Sequence, residues 1–181
     1  MKYFNFLFVI LLVTLWACDE DTPESTSIKG DSGITYDESF SRWENLKLKN
    51  GTSYVYSVTS ESWTGYRSVT TLTVTDGTVS QRSYQAFSMN NPENEEVVYE
   101  EWTETGDSLG SHTAGVPLFT IDDLYETCVK DYLVVDESNN SLYFDTDASG
   151  VISLCGYTPD NCADDCYVGI NIQAFSWVKD E

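Results

Sequence analysis

The hydrophobic pattern changes character three times along the chain. Phe4 to Ala17 is an apolar block interrupted only by Asn5 and Thr14, and residues 19–33 then hold a single large aliphatic side chain, Ile28. A period of two follows. TSYVYSVTSESW (52–63) alternates apolar and small polar residues, which predicts a strand with one buried face. YRSVTTLTVTDGTVSQRSYQAF (66–87) predicts a hairpin about Asp76-Gly77, a pair suited to the two-residue turn that needs positive φ at both central positions. NEEVVYEEWTET (94–105) predicts a further strand with its acids on the wet face. The period then lengthens: in TIDDLYETCVKDYLV (120–134) Ile121, Leu124, Tyr125, Cys128, Val129 and Tyr132 fall on one helical stripe, with Thr120 as N-cap and Asp122 and Asp123 in the first turn. SLYFDTDASGVISLCGY (141–157) predicts a second hairpin and CYVGINIQAFSWV (166–178) a closing strand. The sum is an α+β fold, mainly a twisted antiparallel sheet with one amphipathic helix, about 120–133, packed on one face.

Composition fixes the organisation. The chain has 12 Tyr, and Thr, Val and Ser are frequent beyond the first block, a β-favouring mixture. The expected division is a leader at 1–17, an acidic, disordered tether at 18–35 and a single domain at 36–181. The leader has one basic residue, Lys2, ahead of an apolar run too short to span a bilayer, as a signal peptide does. Its ending, Leu15-Trp16-Ala17-Cys18, resembles the lipobox of bacterial lipoproteins, with Trp16 departing from the usual smaller residue. That resemblance implies lipidation of Cys18 and a membrane anchor. The acids after Cys18 resemble the surface-export signals of some Gram-negative lipoproteins, implying an exported protein of the cell envelope, held at the outer membrane with its domain on the cell surface.

Loss of residues 1–17 removes Lys2 and no acid, leaving eight Lys and Arg against thirty Asp and Glu, a net charge of −22. Nucleic acid is excluded as a partner, because its binding needs clustered cations to neutralise phosphates. The charge leaves room for divalent cations or cationic partners.

Three motifs resemble chemistry. GDSLG (106–110) fits the G-x-S-x-G nucleophile elbow, and GDSL resembles the opening block of a lipase and esterase family. It would make Ser108 a nucleophile with His112, the only histidine, as base; yet no helical pattern follows it, and a glycine loop is the expected structure. DTDASG (145–150) copies the first half of a calcium loop, but its twelfth position is Gly156 instead of the bidentate Glu. A hairpin turn is expected there. No cofactor motif is present; a weakly held Ca2+ is the one candidate, with Asp145, Asp147, Asp160, Asp164 and Asp165 as oxygen donors. With Cys18 assigned to lipid, Cys128, Cys155, Cys162 and Cys166 remain, an even number that predicts two disulfides with three possible connectivities. Their spacing suits neither zinc nor a C-x-x-C redox site. Cys128 on the helix stripe points to a bridge from helix to sheet or to the 155–166 segment, which is read as a disulfide-fixed connection between the last two strands.

In order, YVYSV, VTDGTV, TIDDLY, YFDTDASGVISL, PDNCADDC and INIQAF resemble an uncharacterised family of secreted and lipoprotein domains of unknown function over roughly Arg42 to Trp177. The resemblance implies a fold and an envelope location, and no activity. The sequence thus predicts a non-catalytic, surface-exposed lipoprotein binding a protein, glycan or ion, with Trp43, Trp63 and Trp102 as stacking surface or core. The alternative is a small secreted hydrolase using Ser108 and His112.

Overall fold

The structure, a computed structural model, describes residues 24–89, 95–164 and 166–178. The leader, Cys18 and Asp165 lie outside the described residues. Strands β1 (Tyr54–Glu61), β2 (Tyr66–Thr75), β3 (Thr78–Ser88), β4 (Val97–Thr105), β5 (Asn140–Thr146), β6 (Ile152–Pro159) and β7 (Val168–Trp177) form one sheet in the order β4-β3-β2-β1-β7-β6-β5. Every neighbouring pair is antiparallel. The fold is α+β, and the last strand enters the middle of the sheet beside the first. At the predicted hairpin the ladder closes on Thr75 and Thr78, leaving Asp76 (φ 51°) and Gly77 (φ 76°) as the two-residue turn. Both take the positive φ that makes Asp-Gly favourable there.

Two helices cover one face where the sequence predicted one. The unforeseen helix, α1 (Tyr36–Asn50), begins at a capping box in which Thr35 accepts from the Glu38 N–H and Glu38 accepts from the Thr35 N–H, and it stops at Gly51. Helix α2 (Ile121–Thr127) is the predicted one, capped by Thr120 with Asp123. It runs into a wider π turn over Cys128–Tyr132, closed by the Leu133 N–H on the Cys128 carbonyl at 2.9 Å. Ile121, Leu124, Tyr125 and Cys128 of the stripe are fully buried.

The core lies between these helices and β1, β2, β6 and β7. Trp43 of α1, fully buried, stacks on Trp177 at 5.4 Å and meets Tyr54 edge-on at 5.3 Å. Its indole N–H donates to Asp122, which Lys47 also pairs with, so α1 and α2 are joined through one carboxylate. Buried tyrosines end on hydrogen bonds: Tyr54 Oη accepts from the Ile121 N–H, and Tyr36 Oη donates to the Tyr125 carbonyl. Burial pushes the hydroxyls of Tyr54, Tyr56 and Tyr125 above the ordinary tyrosine range, and that of Tyr36 to about 12.

The expected tether ends sooner than predicted. A 3-10 turn spans Glu24–Ser27, Thr26 is buried and Ile28 packs on the core. The Asp31 and Ser32 N–H groups then donate to the Asp145 carboxylate at 3.2 and 3.1 Å. A polar segment is ordered here because an acid on β5 satisfies its backbone donors. Asp145→Ala should cost this segment about 1 kcal/mol, and tryptic cleavage after Lys29 should quicken by roughly fivefold; an unchanged cleavage rate would show that the two hydrogen bonds do not hold it.

Candidate binding cleft

The serine and histidine of the nucleophile motif do not meet as a pair. Gly106–Ser108 forms an exposed 3-10 turn in which Ser108 Oγ donates to the Thr105 carbonyl and accepts from the Thr105 N–H. His112 Nδ1 lies 2.9 Å from Glu104. Contrary to the expectation that the acids of this strand face water, Glu104 is fully buried. It pairs with Arg82 at 2.9 Å and accepts from the Gly110 and His112 N–H groups and from Ser111 Oγ. Burial would raise this carboxyl, but the hydrogen bonds from His112, Gly110 and Ser111 outweigh it and hold it well below the ordinary carboxylate range.

Arg82 also donates to the Val116 and His112 carbonyls, and its guanidinium lies 4.9 Å from the Trp102 ring centre. Trp102 stacks on His112 at 4.3 Å and on Tyr84 at 5.2 Å. Ser111 and Glu104 both address the same ring nitrogen of His112, and Ser111 donates to Glu104. A nucleophile and an orienting acid need opposite ring nitrogens. The arrangement therefore pins the 106–119 loop over β3 and β4, which is work the sequence reading did not assign to Glu104 and Arg82.

The calcium-loop acids are also committed to backbone. Asp147 Oδ1 accepts from the N–H groups of Ser149 and Val151 and from Ser149 Oγ, forming the hairpin turn. Asp145 holds the 31–32 segment and the Thr146 N–H; burial would raise its carboxyl, and these bonds lower it. Asp160 accepts from Ser141 Oγ, and Asp164 is exposed. Among the described residues no three His, Cys, Asp or Glu side chains gather as metal ligands.

The cysteines pair as Cys128–Cys155 and Cys162–Cys166, with Cα separations of 5.8 and 6.1 Å. The first joins the helical segment to β6 in the core. The second closes the connection between β6 and β7, where the Cys162 N–H donates to the Pro159 carbonyl at 3.1 Å.

That connection borders an opening in the sheet. Strand β7 pairs with β1 from Trp177 back to Ile172, opposite Val58, and with β6 from Asn171 to Val168. Beyond a bulge at Ser57/Val58, β1 continues through Thr59–Glu61 bonded to β2 alone. The two central strands thus fork, and the fork opens into a cleft of about 660 Å³, within the ~300–1,000 Å³ of small-ligand sites. One wall carries Thr59, Ser60, Glu61, Ser62 and Tyr66; the other carries Tyr143, Thr158, Tyr167 and Asn171.

Tyr167 is seated by missing side chains. Gly156 of β6 faces Gly169 of β7, and a Cβ on either would come within 2.7 Å of the Tyr167 ring or hydroxyl. The hydroxyl donates to the Ile170 carbonyl at 2.8 Å, and burial pushes it above the ordinary tyrosine range. Cys166, beside Tyr167, reaches the cleft as well. Of the three tryptophans singled out as stacking surface, Trp43 is core, Trp102 belongs to the Arg82 cluster and Trp63 is 75% exposed next to Ser62.

The geometry defines an α+β domain with a forked central sheet and a polar, tyrosine-rich cleft. Comparison of the chain with protein-family models, curated proteins and solved structures gave no match.

Proposed function

We propose that this chain is an exported lipoprotein, anchored through Cys18 and displayed at the cell surface, whose domain is a non-catalytic binding module. The observation that carries the binding role is the cleft at the fork of β1 and β7, a site of ligand size whose lining is rich in hydroxyl, amide and tyrosine groups. The uncharacterised lipoprotein-domain family that the motifs resemble is consistent with that role and supplies no activity.

The address rests on the leader, its Leu-Trp-Ala-Cys ending and the acids that follow. Among the described residues no helix is long and apolar enough to cross a membrane. Thr26 and Ile28 pack on the domain, so Cys18 lies within eight residues of it, at most about 28 Å of chain at ~3.5 Å per residue. The domain would sit close to the membrane, and its negative charge would hold it off an anionic surface. Cys18→Ser should move the protein from the membrane fraction to the soluble exported fraction, and unchanged fractionation would defeat the anchor.

A further inference from the structure

We infer that the cleft takes a neutral oligosaccharide; this rests on the binding-module reading and names its ligand. Charge disfavours an ionic ligand. Among the described residues no Lys or Arg lines the cleft, and the carboxylate that does, Glu61, is held by Arg67 at 2.6 Å. With a net charge of −21 on the whole chain, an anionic ligand would meet repulsion, and a cationic one would find the Glu61 carboxylate already paired.

The polar groups of the lining match those of a polyol. The hydroxyls of Thr59, Ser60 and Thr158 each donate and accept, and the Asn171 amide offers both functions at fixed geometry. Sugar hydroxyls do the same, so such a lining can satisfy a polyol from several sides. Tyr66 and Tyr143, on opposite walls, are 43% and 39% exposed. Rings of this kind stack on the apolar C–H faces of pyranoses while their hydroxyls stay wet, at little conformational cost. Tyr66 is itself stacked on Tyr99 at 6.2 Å, which extends the ring surface beyond the cleft.

The shape of the fork favours a sugar over a peptide. Adding a peptide strand needs a straight run of unpaired edge. Here the stretches without a partner on the side facing the fork are Thr59–Glu61 on β1 and Val168–Asn171 on β7, and they converge on the bulge at Ser57/Val58. An extended peptide of ordinary strand length, ~5–6 residues, is longer than either stretch, whereas a single ring needs no edge to pair with.

The test is calorimetric titration of the full-length Cys18→Ser chain with neutral hexasaccharides of α- and β-linked glucose, mannose, xylose and galactose, and with a uronic-acid hexasaccharide. At least one neutral sugar should bind and the uronate should not. Tyr143→Ala and Asn171→Ala, on the wall opposite Tyr66, should each weaken binding by about tenfold, with unchanged melting temperatures confirming the fold. Failure of every neutral sugar, or binding that neither variant weakens, overturns the inference. Selection of an extended peptide that competes at the cleft and is lost in the same two variants would also overturn it, while leaving the binding module intact.

Discussion

Arg82→Met should destabilise the domain by about 3–5 kcal/mol, because it removes one partner of a buried ion pair and leaves the other behind. Arg82 and Glu104 are almost wholly out of solvent, and the arginine also donates to the Val116 and His112 carbonyls. Methionine fills part of the volume and supplies none of these donors. The expected result in urea is a midpoint shift with an unchanged slope, accompanied by faster proteolysis of the 106–119 loop. A loss below about 1 kcal/mol would mean that the loop N–H groups hold the Glu104 carboxylate without the guanidinium.

The same site sets a pH dependence whose sign follows from the depressed Glu104 carboxyl. A carboxylate held below its unfolded value stabilises the fold above that value, near pH ~4.3, and the contribution is lost as pH falls toward the folded value. Stability should therefore drop steeply below about pH 5. Glu104→Gln should be less stable at neutral pH and show a shallower acid slope. Glu38, Asp136 and Asp145 are also depressed and contribute in both proteins, so the difference between the two slopes isolates Glu104. Parallel slopes would assign the acid sensitivity to those other groups.

Local signals in the sequence place most of the elements and little of the cleft. The Asp76-Gly77 hairpin and the 121–132 stripe lie in contiguous residues whose backbone needs are local. Helix α1 carried a signal too, since Thr35 and Glu38 have capping-box spacing and Tyr36, Phe40 and Trp43 recur at helical intervals. It escaped because the preceding polar stretch reads as a tether, and only Tyr36, Ser39 and Trp43 of its fifteen residues are buried. Glu104 looked like one wet acid among several; what buries it is a loop that folds back with four donors, together with the arginine directly opposite it on β3. The cleft has no local signature at all. It exists because the last strand exchanges β6 for β1 halfway along its length, a non-local register that no single segment encodes. Only its aromatic content, and the Gly156 and Gly169 that seat Tyr167, stand openly in the sequence.

Counting cysteines predicts two bridges without saying which matters more, and burial now separates them. Cys128 and Cys155 are fully buried and 27 residues apart, whereas Cys162 and Cys166 are 4 apart in an outer connection, with Cys162 exposed. Closing the longer loop restricts the unfolded chain more. Cys128→Ala with Cys155→Ala should cost about 3–4 kcal/mol and Cys162→Ala with Cys166→Ala about 2 kcal/mol or less. Access orders their reduction as well, since exchange needs a thiolate to reach sulfur. In a Cys18→Ser chain, mild reductant should release two thiols, at Cys162 and Cys166, while the fold persists, and the other two only after denaturant is added. Loss of the outer bridge should loosen Tyr167 and the cleft wall it supports, and loss of the inner one should unseat the helical segment from β6. Simultaneous release of all four thiols from folded protein would contradict the burial of Cys128 and Cys155, and equal costs for the two double variants would mean that native packing, not loop closure, sets what each bridge contributes.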